Sequence, residues 1–155
     1  MDELFKARLT RITSQFNVLR ASEPFRFPIG RRALPMQGVY LFSENGHPKY
    51  VGRSDNIRRR LGLHTRAGSS YSQASFATLL AKKNTGLAAN YLVGRDHPHH
   101  FSNKPEFTTA FAAAKLSIQN MTVQVAEEAD AVNQALLEVY IAVALKTPFN
   151  DFRNH

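Results

Sequence analysis

The sequence predicts an α/β protein of the α+β type, in which a small, mostly antiparallel sheet of three strands is flanked by helices. Apolar residues recur at mostly helical spacing over residues 3–20, which indicates an amphipathic opening helix. Two short runs rich in β-branched and aromatic residues, 39–42 and 50–51, flank an Asn-Gly pair at 45–46. That arrangement is the strongest short-range signal for a β-hairpin. The alternating run 121–125 supplies the third strand.

Four further helices are expected, three before the third strand in the sequence and one after it. Their predicted ranges are 56 to about 65, 75–83, 105 to about 117, and 131–145. Ser54 or Asp55 could N-cap the first of these, and Pro105 suits the opening turn of the third. Gly86 and Pro148 mark the expected ends of the second and the last.

The length of 155 residues predicts a single domain, residues 1–155. Its N-terminal helix and connector span 1–37, its core spans 38–64 and 121–152, and a helical insertion spans 65–120. An apolar content of 43% is close to the globular average, so the chain can bury a packed core.

The charge balance indicates which kinds of molecule the protein could bind. Twenty Lys and Arg against twelve Asp and Glu give a net charge of +8, which favours nucleic acid first and an anionic membrane surface second. The absence of cysteine excludes disulfides, thiolate zinc sites and cysteine nucleophiles. The N-terminus lacks the apolar segment of a secretory signal, and the most apolar stretch is too short to span a bilayer. We therefore expect a soluble, cytoplasmic protein that does not enter a membrane.

The hairpin and the helix after it carry candidate chemistry. Tyr40 and Tyr50 lie on adjacent predicted strands, while Arg60 and His64 are four residues apart and share a helix face. A guanidinium can bind phosphate oxygens bidentately, and an imidazole or a phenolate can carry a proton. The alternative is that the tyrosines are core aromatics and that Arg60 and His64 form a solvated face.

Glu138 lies in the middle of the last helix, whose residues 135–145 are apolar on nearly every side. We therefore expect this helix to be buried on several faces. A carboxylate in such a place needs an ion-pair partner, hydrogen bonds or a metal. A salt bridge is one interpretation of Glu138, and a divalent cation held together with substrate phosphate oxygens is the other.

In combination these residues resemble the GIY-YIG nuclease domain. GVY at 38–40 and YVG at 50–52 match its two signatures, Arg60 stands ten residues after the second tyrosine, and His64 matches its His-or-Tyr position. Glu138 resembles the metal ligand on the family's last helix, and Asn150 follows twelve residues later. The resemblance covers about 36–64 and 121–152, less than half of the chain.

The resemblance implies a metal-dependent DNA endonuclease that hydrolyses phosphodiester bonds in one step with one Mg²⁺ or Mn²⁺ per active site. Glu138 would hold the ion, and Arg60 would stabilise the charge of the transition state. Tyr40, or as the second choice Tyr50, would help to deprotonate the attacking water. Asn150 would position a phosphate or the C-terminal segment.

Other basic residues are candidate phosphate contacts or solvated charges. They are Arg53, which stands where several family members carry lysine, and Arg58, Arg59, Arg31, Arg32, Lys82 and Lys83. The histidines of the HPHH run, His97, His99 and His100, match no common zinc spacing and are interpreted as a DNA-facing loop. An inactive nucleic-acid-binding domain of the same fold stays as an alternative function, and a homodimer stays open because cutting both strands often needs two active sites.

Overall fold

The computed structural model describes residues 1–87 and 100–153. Over these residues the structure is α+β, as predicted. Its elements are α1 (Glu3–Ala21), β1 (Gly38–Glu44), β2 (His47–Ser54), α2 (Ile57–Thr65), α3 (Ser75–Thr85), a 3-10 helix (Phe101–Asn103), α4 (Pro105–Gln119), β3 (Thr122–Glu127) and α5 (Ala131–Leu145). Two compact units are formed: one comprises residues 1–60 and 120–150, and the other comprises the described residues of 61–119 together with 151–153. Within the described ranges, no helix is long and apolar enough to cross a membrane.

The first unit is built on an antiparallel sheet with the strand order β2-β1-β3. Asn45 (φ 51°) and Gly46 (φ 79°) form the two-residue turn between β1 and β2, which confirms the predicted hairpin. Two successive positive φ angles suit the right-handed twist of the strands, and Asn-Gly adopts them readily. The central strand β1 is buried along all of its length except Glu44.

Helices α1 and α5 cover the sheet of the first unit. Their buried side chains join those of the strands in one apolar cluster: Ile12, Leu19, Val39, Leu41, Val51, Ala126, Leu137, Ile141 and Ala142. The expectation that α5 is buried on several faces is wrong. Val139, Tyr140 and Val143 are 43%, 37% and 69% exposed, because α5 packs on the sheet and α1 with one face and leaves the opposite face open.

Backbone and side-chain hydrogen bonds attach the connector between α1 and β1 to the rest of the first unit. Phe25 exchanges backbone hydrogen bonds with Val123 of β3, at 2.9 and 2.7 Å. The guanidinium of Arg58 donates to the carbonyl oxygens of Gly30 and Arg32. The segment 22–37 therefore follows a defined path although it has no regular secondary structure of its own.

The start of α2 differs slightly from the prediction. The helix begins at Ile57, and Asn56 is its N-cap, since the side-chain oxygen of Asn56 accepts from the N–H of Arg59 at 3.1 Å. The hydroxyl of Ser54 instead accepts from the N–H of Asn56 at 2.9 Å. Asn is as good an N-cap as Ser or Asp, so the sequence alone did not distinguish the three.

The second unit pairs α3 with α4. Tyr71 packs edge-on against Phe107 and Phe111, at ring-centroid distances of 5.2 and 4.7 Å. Lys115 is only 4% exposed, and its ammonium donates to the carbonyls of Arg66, Ala67 and Ser69. These carbonyls follow the end of α2, where backbone oxygens lack helical partners, so a buried lysine there is fully hydrogen-bonded.

Candidate active site

The hairpin places Tyr40 directly opposite Gly52 on the neighbouring strand. A Cβ atom added at Gly52 would overlap the hydroxyl oxygen and the ring of Tyr40. The Tyr40 side chain therefore lies across the space that any other residue at position 52 would fill. Gly52 belongs to the site as the residue that makes room for the phenol.

Tyr40 is almost completely buried, with 1% of its surface exposed, and packs edge-on against Phe42. Burial raises the pKa of its phenol far above the ordinary value near 10, and the neighbouring Tyr50 adds to the rise. Arg60 opposes that rise, since its Nε donates to the hydroxyl at 3.4 Å. The phenol consequently holds its proton at physiological pH.

Arg60 stands between the two tyrosines. Besides its bond to Tyr40, its side chain hydrogen-bonds the Tyr50 hydroxyl. Arg60 is half-buried on α2, and Tyr50 is more accessible than Tyr40. The predicted proximity of Tyr40, Tyr50 and Arg60 is thus what the first unit shows.

Glu138 on α5 faces the same group of residues. Its charge interacts with the phenol of Tyr40 and with the guanidinium of Arg60, so the three groups lie within electrostatic range of one another. The Glu138 side chain is 21% exposed, and its carboxylate accepts from Nε of Arg53 at 3.0 Å. Burial raises the pKa of the Glu138 carboxyl, while the hydrogen bond and charge of Arg53 oppose the rise. The salt bridge that the sequence offered as one interpretation is therefore formed, with Arg53 as the partner.

Asn150 holds the C-terminal segment against β2. Its side-chain oxygen accepts from the N–H of Val51 at 2.9 Å, and its side-chain nitrogen donates to the carbonyl of Val51 at 2.8 Å. The hydroxyl of Thr147 donates to the same Asn150 oxygen at 2.7 Å. The amide pairs with the edge of the strand as another strand would. Of the two roles expected for Asn150, this geometry supports positioning of the C-terminal segment.

The remaining predicted residues are spread over both units. His64 lies in the second unit, where its ring is completely buried. Lys82, also in the second unit, places its ammonium 4.4 Å from the ring centre of Phe101. His100 caps the 3-10 helix by accepting from the N–H of Ser102 at 3.2 Å. His97 and His99 lie outside the described residues.

The basic side chains of the first unit differ in whether they contact other residues of the protein or are exposed to solvent. Arg58 bonds the connector backbone, and the Arg32 guanidinium lies 4.8 Å from the ring centre of Phe25. The side chains of Arg31 and Arg59 are exposed. Arg31 and Arg59 are therefore the better placed of these four to contact a polyanion.

In the part of the chain that the structure describes, no cluster of three His, Asp or Glu side chains could by itself hold a metal ion. Mg²⁺ does not require one, because it commonly binds one or two carboxylates and completes its shell with water and phosphate oxygens. The partly exposed carboxylate of Glu138 suits that kind of binding. No family model matches the chain, and no curated protein or solved structure matches it either.

Proposed function

We propose that this protein is a divalent-metal-dependent endonuclease that hydrolyses DNA phosphodiester bonds with one Mg²⁺ or Mn²⁺, in the manner of GIY-YIG nucleases. The observation that carries the proposal is the convergence of Tyr40, Arg60 and Glu138 from β1, α2 and α5. A carboxylate can hold the metal ion, a guanidinium can stabilise the charge of the transition state, and a phenol can take part in proton transfer, so together they suit phosphodiester hydrolysis with a single metal ion.

Each side chain has a distinct part in the proposed reaction. The carboxylate of Glu138 binds the cation, which polarises the scissile phosphate when it is bound. Arg60 is permanently charged, so it stabilises the negative charge that builds up on the phosphoryl oxygens. The attacking water forms the new P–O bond as the bond to the leaving oxygen breaks.

The proton of the attacking water is better assigned to Tyr50 than to Tyr40. The buried phenol of Tyr40 has a raised pKa and is 1% exposed, and both properties oppose proton acceptance from water. Tyr50 is more accessible to water and is also hydrogen-bonded by Arg60. Tyr40 then acts as a hydrogen-bond donor in the site, and the order of preference between the tyrosines is the reverse of the sequence-based one.

The test is nicking of supercoiled plasmid by the purified full chain, with Mg²⁺ and with excess chelator. We expect cleavage only with the metal, and a loss of at least about a hundredfold in rate for Glu138→Ala or Arg60→Ala. Glu44→Ala, which removes an exposed carboxylate from the end of β1, is the matched control and should cleave like the parent. Parental activity in Glu138→Ala would refute the metal-ligand assignment.

One observation favours the alternative, a nucleic-acid-binding domain without catalysis. The Glu138 carboxylate already has a cationic partner in Arg53, so it needs no metal for its charge to be balanced. The same assay separates the two functions. A protein that retards DNA in a gel but leaves the plasmid supercoiled at every Mg²⁺ or Mn²⁺ concentration would be the binding domain.

A further inference from the structure

We propose that Arg53 is a displaceable counter-ion which competes with the divalent metal for Glu138. The inference rests on the proposed function, since it concerns the carboxylate assigned to the metal. Arg53 would hold the carboxylate in place when no metal is bound, and would leave it when the metal arrives.

The geometry of the pair is that of a contact which can open. A single nitrogen, Nε, bonds a single oxygen, Oε2, whereas tight arginine–carboxylate pairs are bidentate. The Arg53 side chain is 46% exposed, so water can solvate it as it moves away. Among the described residues, Glu138 is its one hydrogen-bond partner, and the second oxygen of Glu138 accepts from none of them.

Another ion pair of the first unit shows what a closed arrangement looks like. Arg11 bonds Oε2 of Glu128 at 3.0 Å, but that glutamate is only 3% exposed, and its other oxygen accepts from the N–H of Asp130 at 3.1 Å. Both oxygens of Glu128 are thus engaged inside the protein. Glu138 keeps one oxygen and part of its surface open, which is what a cation needs.

Arg60 is not a competitor of the same kind. Its guanidinium is held by the two phenols, and it acts on Glu138 through its charge at a distance. A divalent ion at Glu138 would repel Arg53, whose guanidinium lies at hydrogen-bond distance from the carboxylate. Arg53 would then be driven towards the nearest available anion, which in a nuclease is the phosphodiester backbone.

The experiment measures Mn²⁺ affinity of the full chain without DNA, by the electron paramagnetic resonance signal of free Mn²⁺. Arg53→Gln should bind Mn²⁺ about three- to tenfold more tightly than the parent, since it removes both the competing bond and the repulsion. Arg53→Lys keeps the charge and should stay within about twofold of the parent. Lys6→Gln, which breaks the exposed Lys6–Glu3 pair and removes the same charge, should leave the affinity unchanged.

Arg53→Met is a second neutral variant that keeps much of the apolar stem, in case the glutamine variant does not fold. Equal or weaker Mn²⁺ binding in the folded neutral variant would overturn the role of Arg53. If Glu138→Gln nevertheless lost Mn²⁺ binding, the metal site and the proposed function would stand. If neither the parent nor the neutral variant bound Mn²⁺, both proposals would fall together.

Discussion

At the level of single residues, Tyr40 shows how burial selects between the roles open to a phenol. Its hydroxyl is enclosed by the hairpin and receives a hydrogen bond from Arg60. Taking the phenolate out of water costs more free energy than one long hydrogen bond returns, so the neutral form dominates. The side chains that carry charge in the site are therefore the ones that water can reach.

This raised pKa predicts a pH dependence of stability. The folded chain binds the Tyr40 proton more tightly than the unfolded chain, so this contribution to stability is complete below about pH 10 and is lost as the pH rises through the folded pKa. We expect the free energy of unfolding to fall above pH 10 by up to about 1.4 kcal/mol per pH unit more in the parent than in Tyr40→Phe.

Urea denaturation at about pH 8 and about pH 11 measures the difference. Tyr140→Phe is the control, since Tyr140 is 37% exposed and should leave the parental pH dependence unchanged. Identical pH dependence of the parent and Tyr40→Phe would contradict the enclosed, protonated phenol.

Gly52 gives a second prediction at this level. Gly52→Ala should destabilise the fold by at least about 2 kcal/mol, because the added methyl would overlap the Tyr40 side chain. Gly68→Ala, where the added carbon meets nothing within 4 Å, should change stability by no more than about 0.5 kcal/mol.

The overlap also predicts non-additivity. Tyr40→Leu should destabilise the Gly52→Ala variant less than it destabilises the parent. In that variant the smaller leucine side chain also removes the clash with the added methyl group, and this gain offsets part of the loss. Thermal unfolding of the four proteins of this cycle measures the coupling. Additive effects would mean that the two residues are not in contact.

At the level of elements, the segment after α5 is fastened to β2 by the Asn150 amide. Replacement by alanine removes both bonds to the Val51 backbone, so we expect Asn150→Ala to lose about 1–3 kcal/mol of stability. The Val51 amide hydrogen should exchange markedly faster with solvent, as seen by NMR. Asn17→Ala, an exposed asparagine of α1, is the control and should leave that rate unchanged. A slow Val51 amide in Asn150→Ala would show that another group protects it.

Elements with strong local signals could be predicted from the sequence. The Asn45-Gly46 turn, the left-handed Gly86 at the end of α3 and the bounds of α5 all follow from short-range chemistry. The path of the connector could not be predicted, because it depends on bonds between residues far apart in the chain. Arg58 bonding the Gly30 carbonyl is one of these, and Phe25 pairing with Val123 is another.

The candidate site could be predicted only where its residues are close together in the sequence. The proximity of Tyr40, Tyr50 and Arg60 follows from a hairpin and the helix after it, so local order was sufficient. The pairing of Glu138 with Arg53 joins residues 85 positions apart, and nothing local specifies it. The exposure of the α5 valines could not be predicted, because an apolar helix sequence does not reveal which face of the helix lacks a packing partner.

At the level of the whole molecule, the net charge of +8 has a measurable consequence if DNA is the partner. Each side chain that contacts a phosphate adds to the salt dependence of binding, because it releases condensed counter-ions. We expect Arg31→Ala and Arg59→Ala each to reduce the slope of log affinity against log salt concentration by about 1.

Arg58→Ala is the informative comparison, since its guanidinium is occupied by the connector carbonyls. It should keep the parental slope while losing about 1 kcal/mol of stability. Fluorescence anisotropy of a labelled duplex at several salt concentrations gives the slopes. A parental slope in Arg31→Ala and Arg59→Ala would remove both from the binding surface.

The two outer strands of the sheet share a feature with a bearing on solubility and self-association. An unpaired strand edge is a template on which another copy of a protein can add a strand and begin to aggregate. On β2 the Asn150 amide occupies the outward N–H and C=O of Val51, and on β3 Phe25 occupies those of Val123. Both edges are thus interrupted by the chain itself, so continuous extension of the sheet between copies is blocked from either side.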